Sequence, residues 1–373
     1  MSTSSIGNAM KAWTHTCSGL PPDVLILSSL PVPTITAPTQ ILIQVSHCAL
    51  NPGGSIIMQL LPFFFRASPA IPEMDFSGTV VSLGSGVPRD RKLEPGTPVF
   101  GTVPVSQHAK STSGALAEYV VVDHTAIVKK PDAPSLAEVA GLGIAGATAL
   151  ELMKAAKLRP GNSVLVNGAS GGIGHLVLQM CQHAVGPNGR VVATCSSRNM
   201  EWLEKLSTEP NGPKDGSTGT VQVVDYVAHA PVYEYLAQSF GQSRFDAVID
   251  AVGIQDIFHH SPAFLAEGKP HITVGARARS YTYAGILSSV GAMAKNMLLP
   301  PWLGGTPRRY IQVTGVSNLV ALEELAMMVG DGTLKVHLDR VVSMEKTQEA
   351  YEHLLSGHAQ GKIVVAVSGT TKE

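Results

Sequence analysis

Residues Val164–Gly174 read "VLVNGASGGIG", a short apolar run followed by four glycines within seven residues. Glycine loses more conformational entropy on ordering than any other residue, so a bend this rich in it serves a backbone that must take positive φ or let another group come close. The apolar run suits a buried strand. After the bend, "HLVLQMCQHAV" sets Leu176, Val177, Met180 and Cys181 at helical spacing with Ala184. Strand, tight glycine turn and helix N-terminus together make a phosphate site, because free N–H groups and the helix dipole face the same anion. The flanking strand and helix give the glycines this meaning, since a lone glycine motif carries little.

Strands continue to alternate with helical patterns downstream. They are expected at Val164 to Asn167, Arg190 to Cys195, Val221 to Val224, Phe245 to Asp250, His271 to Val274 and Ile311 to Thr314. Such alternation implies a parallel, doubly wound sheet. Upstream, from Lys11 to about Lys130, the rhythm differs: "ILIQVSHCALNP", "DFSGTVVSLGSG", "GTPVFGTV" and "ALAEYVVVD" are short β-rich runs punctuated by Pro and Gly. The polar "LSTEPNGPKDGSTGT", Leu206 to Thr220, reads as a surface insertion. The last strand, "KIVVAV", is expected to rejoin the first domain.

A chain of 373 residues is long for one core and is expected to form two domains. With 27 basic and 28 acidic residues it lacks the basic surplus of a nucleic-acid binder. Cys17, Cys48, Cys181 and Cys195 include no C-x-x-C pair and read as core thiols in a reducing compartment. "MSTSSIGNAMKAWTHTC" has neither a signal-peptide core nor a strong transit character, so a cytoplasmic setting is expected, with a mitochondrial one left open. The most apolar stretch, Ala284 to Leu303, is broken by Lys295, Asn296 and Pro300-Pro301 and fails as a membrane span; a pocket wall or subunit contact is expected instead.

Taken in order, "MKAW", "ALNP", "DFSGTVVSLGSGV", "GALAEYVVV", "GASGGIG", "FDAVIDAVG" and "AYEHLLSGHAQGKIVVAV" make the chain resemble the medium-chain dehydrogenase/reductase superfamily, in its zinc-independent quinone-oxidoreductase-like and enoyl-reductase branch. The resemblance implies an α/β chain: a GroES-like β-rich catalytic domain built from residues 1–134 and 308–373, around a Rossmann cofactor domain at 135–307. It implies NADPH-dependent hydride transfer to the C=C of an enone, an enoyl thioester or a quinone. It leaves open a homodimer, a partner synthase served in trans, and a cofactor-binding protein that turns nothing over.

The resemblance also assigns residues. Zinc-using members hold their metal with a Cys at the position of Asn51 and a His-Glu pair at Met74 and Asp75. The Asn51 amide and the Met74 thioether are poor partners for zinc, and the structural-zinc cysteines expected between about Arg89 and Lys110 are absent, so no metal is expected. The branch usually carries an Asp three residues after the Asn, where this chain has Gly54. In the glycine turn Ala169 stands for the family's first glycine. Ser170, Gly171, Gly172, Ile173 and Gly174 are expected to meet the pyrophosphate. Ser196, Ser197 and Arg198 offer hydroxyls and a guanidinium where an NAD site would place a carboxylate, which suits a 2′-phosphate, although Arg198 also reads as a solvated helix start.

Tyr226 is expected over the adenosine end, and Val252, Gly253, Val274 and Gly275 at strand-end turns near the nicotinamide. Thr148 is either a hydroxyl beside the ring or a helix-capping core residue. Asn51 is expected to orient the substrate, and Tyr283 or Tyr281 to supply a pocket hydroxyl. Phe63 to Phe65 and Trp302 suit either an apolar cleft or simple packing.

Overall fold

In the computed structural model, residues 7–62, 65–208, 218–278 and 280–368 are described. The chain divides into two compact units, one of Met1–Ile144, Ser317–Gly330 and Leu338–Glu373, the other of Ala145–Val316 and Asp331–His337. The strands in chain order are β1 (Ala9–Thr14), β2 (Ile26–Pro31), β3 (Gln40–Ala49), β4 (Asp75–Leu83), β5 (Pro98–Thr102), β6 (Tyr119–Asp123), β7 (Ile127–Lys129), β8 (Ser163–Asn167), β9 (Arg190–Cys195), β10 (Thr220–Asp225), β11 (Ala247–Asp250), β12 (Pro270–Thr273), β13 (Arg309–Gln312), β14 (Leu338–Ser343) and β15 (Lys362–Ala366).

The first unit is the β-rich one. Its larger sheet runs β14-β15-β3-β4-β5-β7, with β6 pairing β3, and β1 and β2 form a separate hairpin. The core gathers Ile41, Ile43, Val45, Phe76, Val99 and Ile127 with Tyr351 and Ile363 from the C-terminal part of the chain. The last strand joins this unit by antiparallel pairing with β3, Val364 opposite Ala49 and Ala366 opposite His47.

The second unit holds a parallel sheet in the order β10-β9-β8-β11-β12-β13. Helices Gly174–Val185, Met200–Thr208, Val232–Phe240, Gln255–His260 and Tyr283–Leu298 separate the strands in sequence. Parallel neighbours require such crossovers. The strand order reverses beside β8, so the carboxyl ends of β8 and β11 lie at the topological switch point.

The sequence places the divisions at 134/135 and 307/308, whereas the compact units change over at 144/145, 316/317, 330/331 and 337/338. β13 accounts for the second difference: it hydrogen-bonds to β12 as the edge of the parallel sheet. A helix of 16 residues, Tyr283–Leu298, covers most of the stretch Ala284–Leu303, and no described helix is long and apolar enough to cross a membrane.

Candidate functional site

The glycine turn follows β8 directly. Gly168 has φ 73, and its N–H donates to Thr194 Oγ1 at 3.1 Å, while the Ala169 N–H donates to the Thr194 carbonyl at 3.0 Å. A side chain on Gly174 would strike the Gly168 carbonyl oxygen at 2.0 Å, so glycine lets the helix Gly174–Val185 begin hard against the turn. Gly171 is the opposite case. The nearest atom to a Cβ there would be the Gly168 oxygen at 3.5 Å, which leaves the outer side of the loop open. The N–H groups just inside the helix are already engaged, His175 donating to the Gly171 carbonyl and Leu176 and Val177 to the Ile173 carbonyl, so a pyrophosphate is expected at the loop residues that precede them.

A ladder of buried polar side chains ties this loop to its neighbours. Thr194 Oγ1 donates to Asn167 Oδ1 at 2.7 Å, and Asn167 Nδ2 donates to Asp250 Oδ1 at 2.7 Å. Asp250 in turn accepts from the N–H groups of Val252 (3.0 Å), Gly253 (2.9 Å) and Ile254 (2.7 Å), which shapes the turn after β11. Burial pushes its carboxyl above the usual carboxylate range, against those hydrogen bonds. The turns pack on one another: a side chain on Gly253 would meet the Gly275 oxygen at 1.8 Å, and one on Gly168 would meet Val252. Ser170, Gly171, Gly172, Ile173 and Gly174 are thus brought together with Val252, Gly253, Val274 and Gly275 at the carboxyl ends of adjacent strands.

At the end of β9, Ser196 is half-buried while Ser197 and Arg198 are exposed. Asn199 donates to Ser170 Oγ at 2.8 Å and joins this turn to the glycine loop. The Tyr226 N–H donates to the Cys195 carbonyl at 3.0 Å, placing this exposed ring at the same strand end. One group here was missed in the sequence reading. Asp225, which lies opposite Cys195 in the β10–β9 register, accepts from the Ser197 hydroxyl and from the Val227 and Ala228 N–H groups, and these hold its carboxyl below the usual range. Its signal was the neighbouring strand's end, not the "SSRN" turn itself.

The β-rich unit contains a second buried polar system. Asn51 is buried, and its amide is fully committed: Nδ2 donates to Asp75 Oδ2 (3.0 Å) and the Ala49 carbonyl (3.3 Å), while Oδ1 accepts from Lys362 Nζ (2.8 Å). Lys362 Nζ also donates to the Leu50 carbonyl at 3.2 Å. Asp75 Oδ1 accepts from the Ile144 N–H at 2.9 Å, and Glu73 accepts from the Tyr351 hydroxyl (2.7 Å) and the Asn51 N–H (3.2 Å). Burial favours the neutral forms of Glu73, Asp75 and Lys362, and of the Tyr351 phenol. It pushes Glu73 up to about 8, raises Asp75 and lowers Lys362. An amide so engaged positions the chain around it and has no free hydrogen for a substrate, which corrects the expectation that Asn51 orients one directly.

These residues do not fit a zinc ion. The oxygens of Asn51 and Asp75 are taken by internal donors, one of them the Lys362 ammonium, and Met74 offers a buried thioether. No group of three His, Cys, Asp or Glu among the described residues is arranged to hold a metal.

Of the other expected residues, Thr148 is buried in the helix Gly143–Ala156, close enough to Gly315 that a Cβ there would meet its Oγ1 at 2.0 Å. Tyr283 opens the helix Tyr283–Leu298 and is exposed, and Tyr281 is half-buried. Phe65 and Trp302 are exposed, while Phe63 and Phe64 lie outside the described residues. Arg66 turns inward: its Nη2 donates to the Ile57 carbonyl and, at 2.8 Å, to the Leu61 carbonyl.

Comparison with known proteins agrees with this architecture. The alcohol dehydrogenase GroES-like domain family matches residues 37–132, and the zinc-binding dehydrogenase family matches residues 218–365. A medium chain reductase, pydE, of Acremonium sp. is 33% identical, the alignment covering 97% of this chain and 100% of that one. The trans-enoyl reductase poxH of Penicillium oxalicum is 31% identical over 97% of this chain and 99% of its own. Among solved structures, the quinone oxidoreductase from Coxiella burnetii superposes with a TM-score of 0.75 at 27% identity, covering 96% of this chain and 100% of that one. The GroES-like β-rich unit, the parallel-sheet unit and these relatives together establish that the chain is an oxidoreductase of the medium-chain dehydrogenase/reductase superfamily, of its quinone-oxidoreductase and enoyl-reductase type.

Proposed function

We propose that the protein reduces the C=C bond of an α,β-unsaturated carbonyl compound or a quinone with NADPH and without a metal. The observation that carries this reading is the packing of the turns after β11 and β12 beside the glycine turn after β8, with Ser196, Ser197 and Arg198 standing at the end of β9. When bound, the dihydronicotinamide supplies the hydride. Ser170, Gly171, Gly172, Ile173 and Gly174 would hold the pyrophosphate, Arg198 with its two serines the 2′-phosphate, and Tyr226 the adenine face. Val252, Gly253, Val274 and Gly275 would line the nicotinamide end, with the Thr148 hydroxyl beside the ring.

Reduction of a plain ketone without a metal lacks an electrophile, whereas a conjugated C=C moves its charge to a carbonyl oxygen that hydrogen bonds can hold. Tyr283 is the hydroxyl proposed for that oxygen, and Asn51 shapes the β-rich wall through its internal bonds. The β-rich unit is thereby the catalytic domain and the parallel-sheet unit the cofactor domain. Likeness to the trans-enoyl reductase favours one narrower version, an enoyl thioester presented by a partner synthase.

NADPH oxidation with a panel of enones, quinones and enoyl thioesters, with and without an acyl carrier, tests these readings together. Turnover is expected with at least one conjugated substrate, and none with any would leave a cofactor-binding protein. Arg198→Ala is expected to weaken NADPH binding by roughly 1.5–3 kcal/mol, the range for hydrogen bonds to charged groups. That is about 10- to 100-fold in dissociation constant. NADH binding should barely change, and a variant that weakens both equally would overturn the NADPH assignment.

A further inference from the structure

Gly53 and Gly54 are neighbours in the helix Pro52–Leu60 with opposite surroundings. A Cβ on Gly53 would meet nothing within 4 Å, whereas one on Gly54 would meet Glu73 Oε1 at 2.4 Å and Oε2 at 2.8 Å. Glu73 reaches that space from a backbone at φ 64, the left-handed region that a Glu side chain disfavours, and it is wholly buried. Strain of this kind persists where the surroundings over-determine it. Here they do. Tyr351 donates to one carboxyl oxygen at 2.7 Å, the Asn51 N–H donates to the other at 3.2 Å, and Lys362 and Asp75 hold the Asn51 amide from the remaining sides. Glu73 therefore grips by its main chain the same residue whose side chain the Lys362–Asp75 pair grips.

We propose that Glu73 is a positioning residue whose carboxyl occupies the volume left free by Gly54 and sets the Asn51 turn from which the helix starts. Residues 54 and 73 then form an exchangeable pair, in which one carboxyl serves the space from either side. Only the kinetic consequence of this pairing rests on the reductase reading.

The test compares Gly54→Asp, Glu73→Gly and the double variant, with Gly53→Asp as control, by thermal melting and by steady-state enone reduction with NADPH. Gly54→Asp forces a second carboxyl into filled space and is expected to lower kcat/KM by about 100-fold. Glu73→Gly removes the acceptor of Tyr351 and of the Asn51 N–H. It is expected to raise the KM for the enone by about tenfold while leaving that for NADPH unchanged. A smaller folded fraction would lower kcat alone and would not give this split. The double variant is expected to recover to within about threefold of the wild type and to melt above both single variants, the mark of coupled sites. Gly53→Asp should be silent.

A double variant no better than its two parents combined, in melting and in kinetics, would overturn the exchange. So would Gly53→Asp as damaging as Gly54→Asp, or Glu73→Gly with an unchanged enone KM in an otherwise active enzyme. A wild-type chain that reduces no conjugated substrate would defeat the reductase reading instead, and the melting arm of the cycle would still decide the exchange.

Discussion

The two buried polar systems of this chain solve different problems. In the parallel-sheet unit, Thr194, Asn167 and Asp250 stand at or next to the ends of adjacent strands, contain no cation, and finish on the N–H groups of Val252, Gly253 and Ile254. That ladder arranges main chain around an open loop. In the β-rich unit, Asn51, Glu73, Asp75, Tyr351 and Lys362 come from segments more than 300 residues apart at the extremes and close on themselves around an ammonium. A site prepared for an anion leaves donors facing outward, whereas a structural knot of charges consumes them.

Breaking the knot is expected to give the largest effect. Lys362→Met leaves Asp75 and Glu73 without their buried cation and two carbonyl-type oxygens without a donor, and should destabilise the chain by about 3–5 kcal/mol. Chemical denaturation measures it, and a loss below about 1 kcal/mol would show that the carboxyls simply take up protons instead. The corresponding blow to the other system is smaller. Gly174→Ala drives a methyl into the Gly168 carbonyl and should cost about 1–3 kcal/mol of stability together with cofactor affinity. Gly171→Ala, where the space is open, should leave melting unchanged, and equal losses at the two positions would erase the distinction between packing and ligand-facing glycines.

The effect that is smallest at neutral pH is a slope that appears only in acid. His271 is buried beside Asp250, with its Nε2 3.9 Å from Oδ2, and burial drives its pKa down to about 3 from 6.5. The unfolded chain takes up this proton below about pH 6.5 while the folded one does not, so stability falls as pH drops from there toward 3, by about 1.4 kcal/mol per pH unit for one group. His271→Phe, placed among Phe258 and Tyr310, should remove that part of the acid slope. Identical slopes in the two proteins would count against a neutral imidazole.

Sequence made one of these systems legible and hid the other. "VLVNGASGGIG" announces itself because a strand, a turn and a helix are contiguous, and the strands at Val164, Arg190 and Phe245 could be placed from their apolar runs. The polar residues ending those strands then needed only the parallel order to become neighbours. β13 was placed about two residues late, at Ile311 to Thr314 instead of Arg309–Gln312, because as an edge strand it has a weak apolar period. Glu73 and Tyr351 carry no such signal: nothing local says that a Glu beside Met74 is buried, or that "EAYEHLL" sends a phenol to it. Asn51 was noticed for its motif, but its full set of partners depends on Lys362, which reaches it only through the β15–β3 pairing.

That pairing has a consequence for how the protein is made. β15 lies between β14 and β3, so the sheet begun by residues 40–49 stays incomplete until residues 362–366 have left the ribosome. Every strand of the parallel sheet has emerged by Gln312. Since domains fold as their segments emerge, the middle of the chain can settle first, and the β-rich part made before it must wait, with the His47–Ala49 end of β3 unpaired on one edge, for β15 to arrive.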